Sequence, residues 1–276
     1  MMTRAKQDRG RAIGEPRADD TSVDDNRAED PTAENREAMV AEIIAEVAAT
    51  AAFLGKDRLD PGVLDALRKV PRHAFVAAWE QPFAYENRPL PIGEGQTISQ
   101  PYIVAIMTDL ARIAPGDRVL EVGTGCGYQT AVLAELAAAV DSIERVPALA
   151  AVAAERLADL GYRNVKVRAG DGTQGWPEAA GEQPPRYDAI LVTAAAQGAV
   201  PEALIDQLAP GGRLVIPVES RPRDPAARAF DLRVLWFGPQ QDLLVVTKDG
   251  EGKATEEKIL PVAFVPLIPE PGAEET

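Results

Sequence analysis

Three short runs of this chain carry residue types that could act on one ligand. Glu121 and Val122 close an apolar run and lead through Gly123-Thr124-Gly125-Cys126-Gly127 into a helical pattern. A strand that turns through small residues into a helix lets the backbone approach a ligand closely, because no Cβ stands in the way. The spacing is G-x-G-x-G. A dinucleotide fingerprint would need glycine at position 128, where this chain has Tyr128, so the loop suits a cofactor without a pyrophosphate and favours S-adenosyl-L-methionine over NAD. Roughly twenty residues on, Glu144 ends the next apolar run, where a carboxylate can accept hydrogen bonds from both hydroxyls of a ribose. Asp171-Gly172 follows the third run, at the edge of the same crevice, where the aspartate could meet an adenine amino group. Glu121, Gly123, Thr124, Gly125, Gly127, Glu144, Asp171 and Gly172 are therefore the candidate cofactor residues. Glycines alone would fit an empty strand-to-helix turn equally well; the two acids at the ends of successive runs are what tip the reading toward a ligand.

These residues need a sheet to bring them together. After Ala114-Pro-Gly-Asp117 short apolar runs alternate with helical ones, the pattern of βαβ units in a mostly parallel, doubly wound sheet covered on both faces. Strands are expected at Arg118 to Val122, Asp141 to Glu144, Val165 to Ala169, Tyr187 to Thr193 and Arg213 to Val218, with helices at Tyr128 to Ala139, Pro147 to Leu160 and Pro201 to Leu208. The β-rich pieces Leu232 to Phe237, Asp242 to Thr247 and Val262 to Pro266 predict antiparallel strands that finish the sheet. Upstream, residues 1–36 are dense in Asp, Glu, Arg and Gly and lack bulky apolar side chains, so they read as a disordered tail. Residues 37–115 read as a small helical region with a polar loop at Ile92 to Gln100, and residues 116–276 as the Rossmann-like core. Met39, Val40, Ile43, Ile44 and Val47 recur at helical spacing, Asp60-Pro61 opens a second helix toward Val70, and a third runs from about Pro101 to Ala111.

Bulk composition narrows the functions. Forty-three acidic against 29 basic side chains leave a net charge of -14, and no basic cluster breaks the field, so no nucleic-acid partner is expected. One cysteine excludes an internal disulfide and points to a cytoplasmic location; one histidine beside it leaves too few soft ligands for a transition-metal cage. Glu42 and Glu46 interrupt the most apolar stretch, Ala38 to Leu54, and the N-terminus lacks an apolar core with a cleavage site, so neither a membrane span nor a secretory signal is expected.

Six blocks then resemble, in order and spacing, the protein-L-isoaspartate O-methyltransferases. They are Val-Pro-Arg-His-Ala-Phe-Val at 70 to 76, Gly-Glu-Gly-Gln-Thr-Ile-Ser-Gln-Pro at 93 to 101, the glycine-rich block at 119 to 130, Gly-Asp-Gly-Thr-Gln-Gly-Trp at 170 to 176, Tyr-Asp-Ala-Ile-Leu-Val-Thr-Ala-Ala-Ala at 187 to 196 and Phe-Val-Pro-Leu at 264 to 267. The likeness covers roughly Glu37 to Leu267, and the Thr-Ile-Ser block is its most specific part. It implies a class I methyltransferase fold and a methyl transfer from S-adenosyl-L-methionine to the α-carboxylate of L-isoaspartyl residues in damaged proteins and peptides, whose ester closes to a succinimide. It also implies that Ser99 is the active-site serine, that Thr97 and Ile98 border the cofactor, that Gln96 and Ser99 meet the substrate, and that the protein is a monomer.

The chemistry fits these residue types. A carboxylate nucleophile is already ionised at neutral pH, so the enzyme needs alignment and water exclusion rather than a base. Ser99 before Gln-Pro-Tyr also suits a helix N-cap, and both readings stand. Cys126 reads as a small filler, His73 as a buried or capping histidine, Trp176 and Phe264 as packing, and Gln241 as a possible cofactor contact. The chain departs from the family pattern at Glu219, where glycine is common, and in an insert from Ser220 to about Pro239. Two alternatives stay open: a relative that methylates one dedicated peptide, and a binding module that holds the cofactor without transfer.

Overall fold

Burial of the inner parallel strands explains why their sequence is so rich in Val, Leu and Ile, while the parallel strand at the sheet edge, Val165–Ala169, has no buried residue and carries Lys166 and Arg168. The computed structural model of the chain describes residues 32–177, 185–219 and 240–269. β3 (Arg118–Val122), β4 (Ala139–Glu144), β5 (Val165–Ala169), β6 (Tyr187–Val192) and β8 (Leu208–Glu219) pair in parallel. β9 (Gln241–Lys248) and β10 (Ala254–Val262) add to β8 antiparallel, and the short β7 (Ala196–Gln197) pairs with β8 as well. The order across the sheet is β10-β9-β8-β6-β3-β4-β5. Chain direction along the sheet reverses at β3, which lies between β4 and β6, and such a switch point opens a crevice at the carboxyl ends of the strands.

The helices between strands are α5 (Tyr128–Ala134), α6 (Pro147–Asp159) and α7 (Glu202–Gln207). α5 and α6 begin where the sequence sets them and α7 one residue later, at Glu202, but α5 stops at Ala134 rather than continuing to Ala139: the chain turns and then joins β4 beside β3. The expected mostly parallel, doubly wound sheet with antiparallel C-terminal strands is present.

The N-terminal part holds α1 (Ala33–Ala49), α2 (Ala51–Leu54), α3 (Pro61–Lys69) and α4 (Pro101–Ala111). α1 starts at Ala33, inside the stretch read as tail, and Arg36 bonds back to the Thr32 hydroxyl at 2.9 Å; residues 1–31 lie outside the described part. Asp60 caps α3 through Gly62 N at 2.8 Å, as its Asp-Pro opening predicts. Among the described residues the helices form no separate core: Met39, Val40 and Ile43 share one apolar cluster with Val119, Ala189 and Val215, and α4 packs on β6 and β8.

Two expectations need correction. The polar segment Ile92 to Gln100 is not a plain loop but carries most of a hairpin, β1 (Leu90–Gly93) against β2 (Gln96–Ile98), closed by Glu94 and Gly95 with φ of 52° and 69°. Positive φ at both central residues is the turn that matches strand twist, and Glu-Gly is a weaker signal for it than Asn-Gly. The last strand is Ala254–Val262, so the β-rich piece Val262 to Pro266 follows it instead of forming it. As an edge strand it exposes Glu256 and Glu257, charges that suit an edge and mask its strand character in sequence. The expected strand Leu232 to Phe237 and the insert fall outside the described residues.

Candidate active site

Gly123 leaves β3 with φ 98°, its N–H bonded to Ile143 O at 2.8 Å. Thr193, at the end of β6, donates its hydroxyl to Gly123 O at 2.6 Å, and any Cβ at position 123 would overlap that hydroxyl. The loop is thus clasped across the switch point, and its backbone faces a cleft. The cleft is walled by Gln96, Thr97, Ile98 and Ser99 on one side, Gly123, Thr124, Gly125 and Cys126 below, and Val122, Ile143, Glu144, Arg145, Val146 and Gly172 opposite. Tyr128, Gln129, Thr193 and the segment Val265 to Ile268 complete it.

Glu144 ends β4 and is almost wholly buried. One carboxylate oxygen accepts Gly125 N at 2.7 Å and the other Val146 N at 2.9 Å, so this acid both lines the cleft and fixes the two loops around it. Three other expected residues do not line the cleft. Gly127 faces Leu157 and Ala153, where its missing side chain lets α5 approach α6. Asp171 turns its carboxylate onto Thr173 N and Oγ1 at 2.8 and 2.7 Å, holding the turn that presents Gly172. Glu121 lies beneath the loop: Thr130 and Ser142 donate their hydroxyls to one of its oxygens, both at 2.5 Å, and the Ser142 hydroxyl meets that of Thr124 at 2.6 Å. Burial drives the Glu121 pKa up from 4.5 to about 8 against those two hydrogen bonds, which makes it a neutral buttress near pH 7.

Ser99 does not cap α4. The cap position is Gln100, because Pro101 takes the first helical turn, and the Ser99 hydroxyl makes no hydrogen bond with any described residue. Ser99 itself stands where the cleft meets a second cavity. Thr97, Ser99, Thr193 and Val265 line both, and the second cavity continues past Gln100, Tyr102, Ile103, Glu46 and Thr50 to Leu260, Val262 and Phe264. Gln241 is on neither wall; it bonds the Phe264 backbone at both ends, at 3.0 and 2.6 Å, and so fixes the far side of the second cavity. His73 bonds Tyr85 OH at 2.7 Å away from the cleft, and Cys126 is buried with its thiol pKa raised by desolvation, unsuited to attack.

Sequence reasoning passed over Arg72, one residue before the histidine it weighed. Arg72 is fully buried, donates Nε to Ala84 O and Nη2 to Ser99 O, both at 2.8 Å, and lies 4.8 Å from the centre of the Tyr128 ring. Burial lowers its pKa, and no carboxylate balances it. A guanidinium held only by carbonyls and a ring face is expensive, which marks the Ser99 main chain as worth fixing. Arg145 was also missed; it lines the cleft, and its Nε is buried without a hydrogen-bond partner among the described residues.

A reversed strand order at β3, a G-x-G-x-G turn and an acid at the end of the neighbouring strand define a Rossmann-like methyltransferase dependent on S-adenosyl-L-methionine. The profile of the protein-L-isoaspartate(D-aspartate) O-methyltransferases matches residues 52–231, and the chain belongs to that family. It is 52% identical over 242 residues to protein-L-isoaspartate O-methyltransferase 2 of Syntrophobacter fumaroxidans, covering 87% of this chain and 88% of the relative. Against the Polaromonas sp. protein of the same name it is 54% identical, covering 83% and 98%. Among solved structures, one described as a protein-L-isoaspartate O-methyltransferase of Plasmodium falciparum in complex with S-adenosyl-L-homocysteine aligns with TM-score 0.64 at 25% identity, covering 87% of this chain and 99% of that one. A second structure of that name aligns with TM-score 0.65 at 25% identity over 84% of this chain, which spans 65% of its length.

Proposed function

We propose that this chain methylates the α-carboxylate of L-isoaspartyl residues in damaged proteins and peptides, starting their repair through a succinimide. The observation that carries the reading is the meeting of two cavities at Ser99, whose hydroxyl has no partner among the described residues. The residues present fit S-adenosyl-L-methionine in the first cleft. Apolar Val122, Ile143 and Val146 line the cleft with Glu144, the glycine loop leaves room for close approach, and Arg145 is the sole cation on the wall among the described residues, too few for a pyrophosphate. When bound there, the cofactor supplies an electrophilic methyl on a sulfonium.

The protein's own groups do the rest. Glu144 takes the ribose hydroxyls, while Gly123, Thr124, Gly125, Gly172, Thr97 and Ile98 surround the remainder; Gly127, Asp171 and Glu121 support these residues from behind. Ser99 donates a hydrogen bond to the substrate carboxylate and orients one oxygen toward the methyl, and Gln96 with the hairpin backbone borders the extended peptide. A neutral hydroxyl suits this better than a cation, which would hold the ground-state anion too tightly. The second cavity keeps water from the nucleophile with Ile103, Val262 and Phe264. The protein works in this reading as a cytoplasmic monomer without nucleic-acid or membrane partners: net charge -14 opposes the former, and no helix among the described residues is long and apolar enough to cross a membrane.

The test uses labelled S-adenosyl-L-methionine and two peptides that differ only in isoaspartyl against aspartyl linkage. Base-labile label on the isoaspartyl peptide alone is expected. Equal label on both, or on neither, overturns the assignment.

A further inference from the structure

Among the described residues, Glu46 is the one charged side chain on the wall of the second cavity. It stands in the last turn of α1, a 17-residue helix with no basic residue in that turn, so a carboxylate sits at the negative end of a helix dipole. Helices gain from a cation there, and this one carries an anion instead. The Glu46 side chain is also held in place. Its Oε2 accepts Asn87 Nδ2 at 2.5 Å and Gln100 Nε2 at 3.4 Å, and Gln100 adjoins Ser99 in the chain. No cation of the described residues pairs with it. Thr50, whose N–H and hydroxyl cap the Glu46 carbonyl at 2.9 and 2.8 Å, carries the end of α1 onto the same wall.

We propose that Glu46 is a specificity determinant that favours isoaspartyl peptides with a lysine or arginine next to the damaged residue and disfavours those with an acid there. This rests on the reading of the second cavity as the peptide site. The reacting carboxylate enters at Ser99, and Gln100 stands between it and Glu46, so the anionic wall faces a neighbouring side chain rather than the nucleophile. An immobilised carboxylate without a counter-ion attracts a cation at no cost of breaking an existing pair. Its partial exposure limits the gain to that of a surface ion pair.

The experiment compares three isoaspartyl peptides, identical except for Lys, Ala or Glu at both flanking positions, with full-length wild type, Glu46→Gln and Glu42→Gln. Gln at 46 keeps an oxygen for Asn87 and Gln100 and removes only the charge. Glu42→Gln, one turn earlier in α1 at an exposed position, removes the same negative charge outside the cavity. In wild type the KM of the Lys peptide is expected to be about threefold to fivefold below that of the Ala peptide, with the Glu peptide higher again and the spread narrowing with added salt. Glu46→Gln is expected to collapse the spread to within about twofold, on the same scale of a surface pair, while Glu42→Gln preserves it. A wild type without a spread, a Glu46→Gln that keeps it, or a Glu42→Gln that loses it equally overturns the proposal. Failure to label even the Ala peptide takes down the peptide-site reading itself, and the proposal with it.

Discussion

Ser99 and Arg72 divide one task between a side chain and a main chain. Ser99 lines both cavities, while its carbonyl is held at 2.8 Å by a fully buried guanidinium. Removing the hydroxyl takes away one hydrogen bond to a charged acceptor, so Ser99→Ala is expected to lower kcat by roughly tenfold to a hundredfold. Adenosylhomocysteine affinity should stay nearly constant, since Glu144 and the glycine loop are untouched. Arg72→Lys keeps the charge but cannot reach Ala84 O and Ser99 O together, and a further loss in kcat is expected from a serine that wanders. If Arg72 acts through Ser99, the double variant loses no more turnover than the worse single one. Strict additivity in that cycle would show that Arg72 serves the fold alone.

The β1–β2 hairpin is the element that presents Thr97 and Ser99, and its turn is not optimal. Glu94 sits at φ 52° with an exposed side chain, a left-handed conformation that costs a residue with a Cβ about 1 kcal/mol and asparagine less. Glu94→Asn is therefore expected to raise the melting temperature by about 1 to 3 °C, read by calorimetry; a fall would mean that the Glu94 carboxylate supports the turn in some other way. This hairpin also shows where sequence is a poor guide. Strands β3 to β6 were legible to within two residues at either end, β3, β4 and β6 because burial favours apolar runs and the edge strand β5 because Val165 and Val167 alternate with exposed Lys166 and Arg168, and α4 was legible from Gln-Pro and its apolar length. The hairpin and β10 were not, since short or edge strands face water and are specified by turns and partners instead of by hydrophobicity. At the site, motif spacing brought Thr97, Ser99, Gly123 and Glu144 to one cleft. It did not tell a wall residue from its support, so Glu121, Gly127 and Asp171 were grouped with groups they hold up, and Arg72, which lines no cavity, went unweighed.

Across the whole molecule, one apolar cluster ties the N-terminal helices to the sheet and a second packs against the sheet's other residues, so a change in the first is felt as global stability. Glu121 is fully buried on β3, the strand that gives Val119 to the first cluster. Its folded pKa is raised from 4.5 to about 8, by desolvation first and with a smaller push from the charge of Glu144. Between those pH values the folded protein keeps a proton that the unfolded chain has released. Stability from this group is thus fully present below about pH 4.5 and is lost as pH rises toward about 8, by up to about 1.4 kcal/mol per unit. Glutamine cannot ionise yet can accept from Thr130 and Ser142, so Glu121→Gln should gain on wild type as pH rises from about 5 to about 8 and then run parallel. Urea midpoints for both proteins at several pH values measure the difference; parallel curves throughout would mean that Glu121 is ionised in the fold. The same titration reaches the site through Ser142 and Thr124. An ionised Glu121 adds a second negative charge near Glu144, under the loop that must close on the cofactor, so cofactor affinity in wild type should weaken above about pH 8 while that of Glu121→Gln should not.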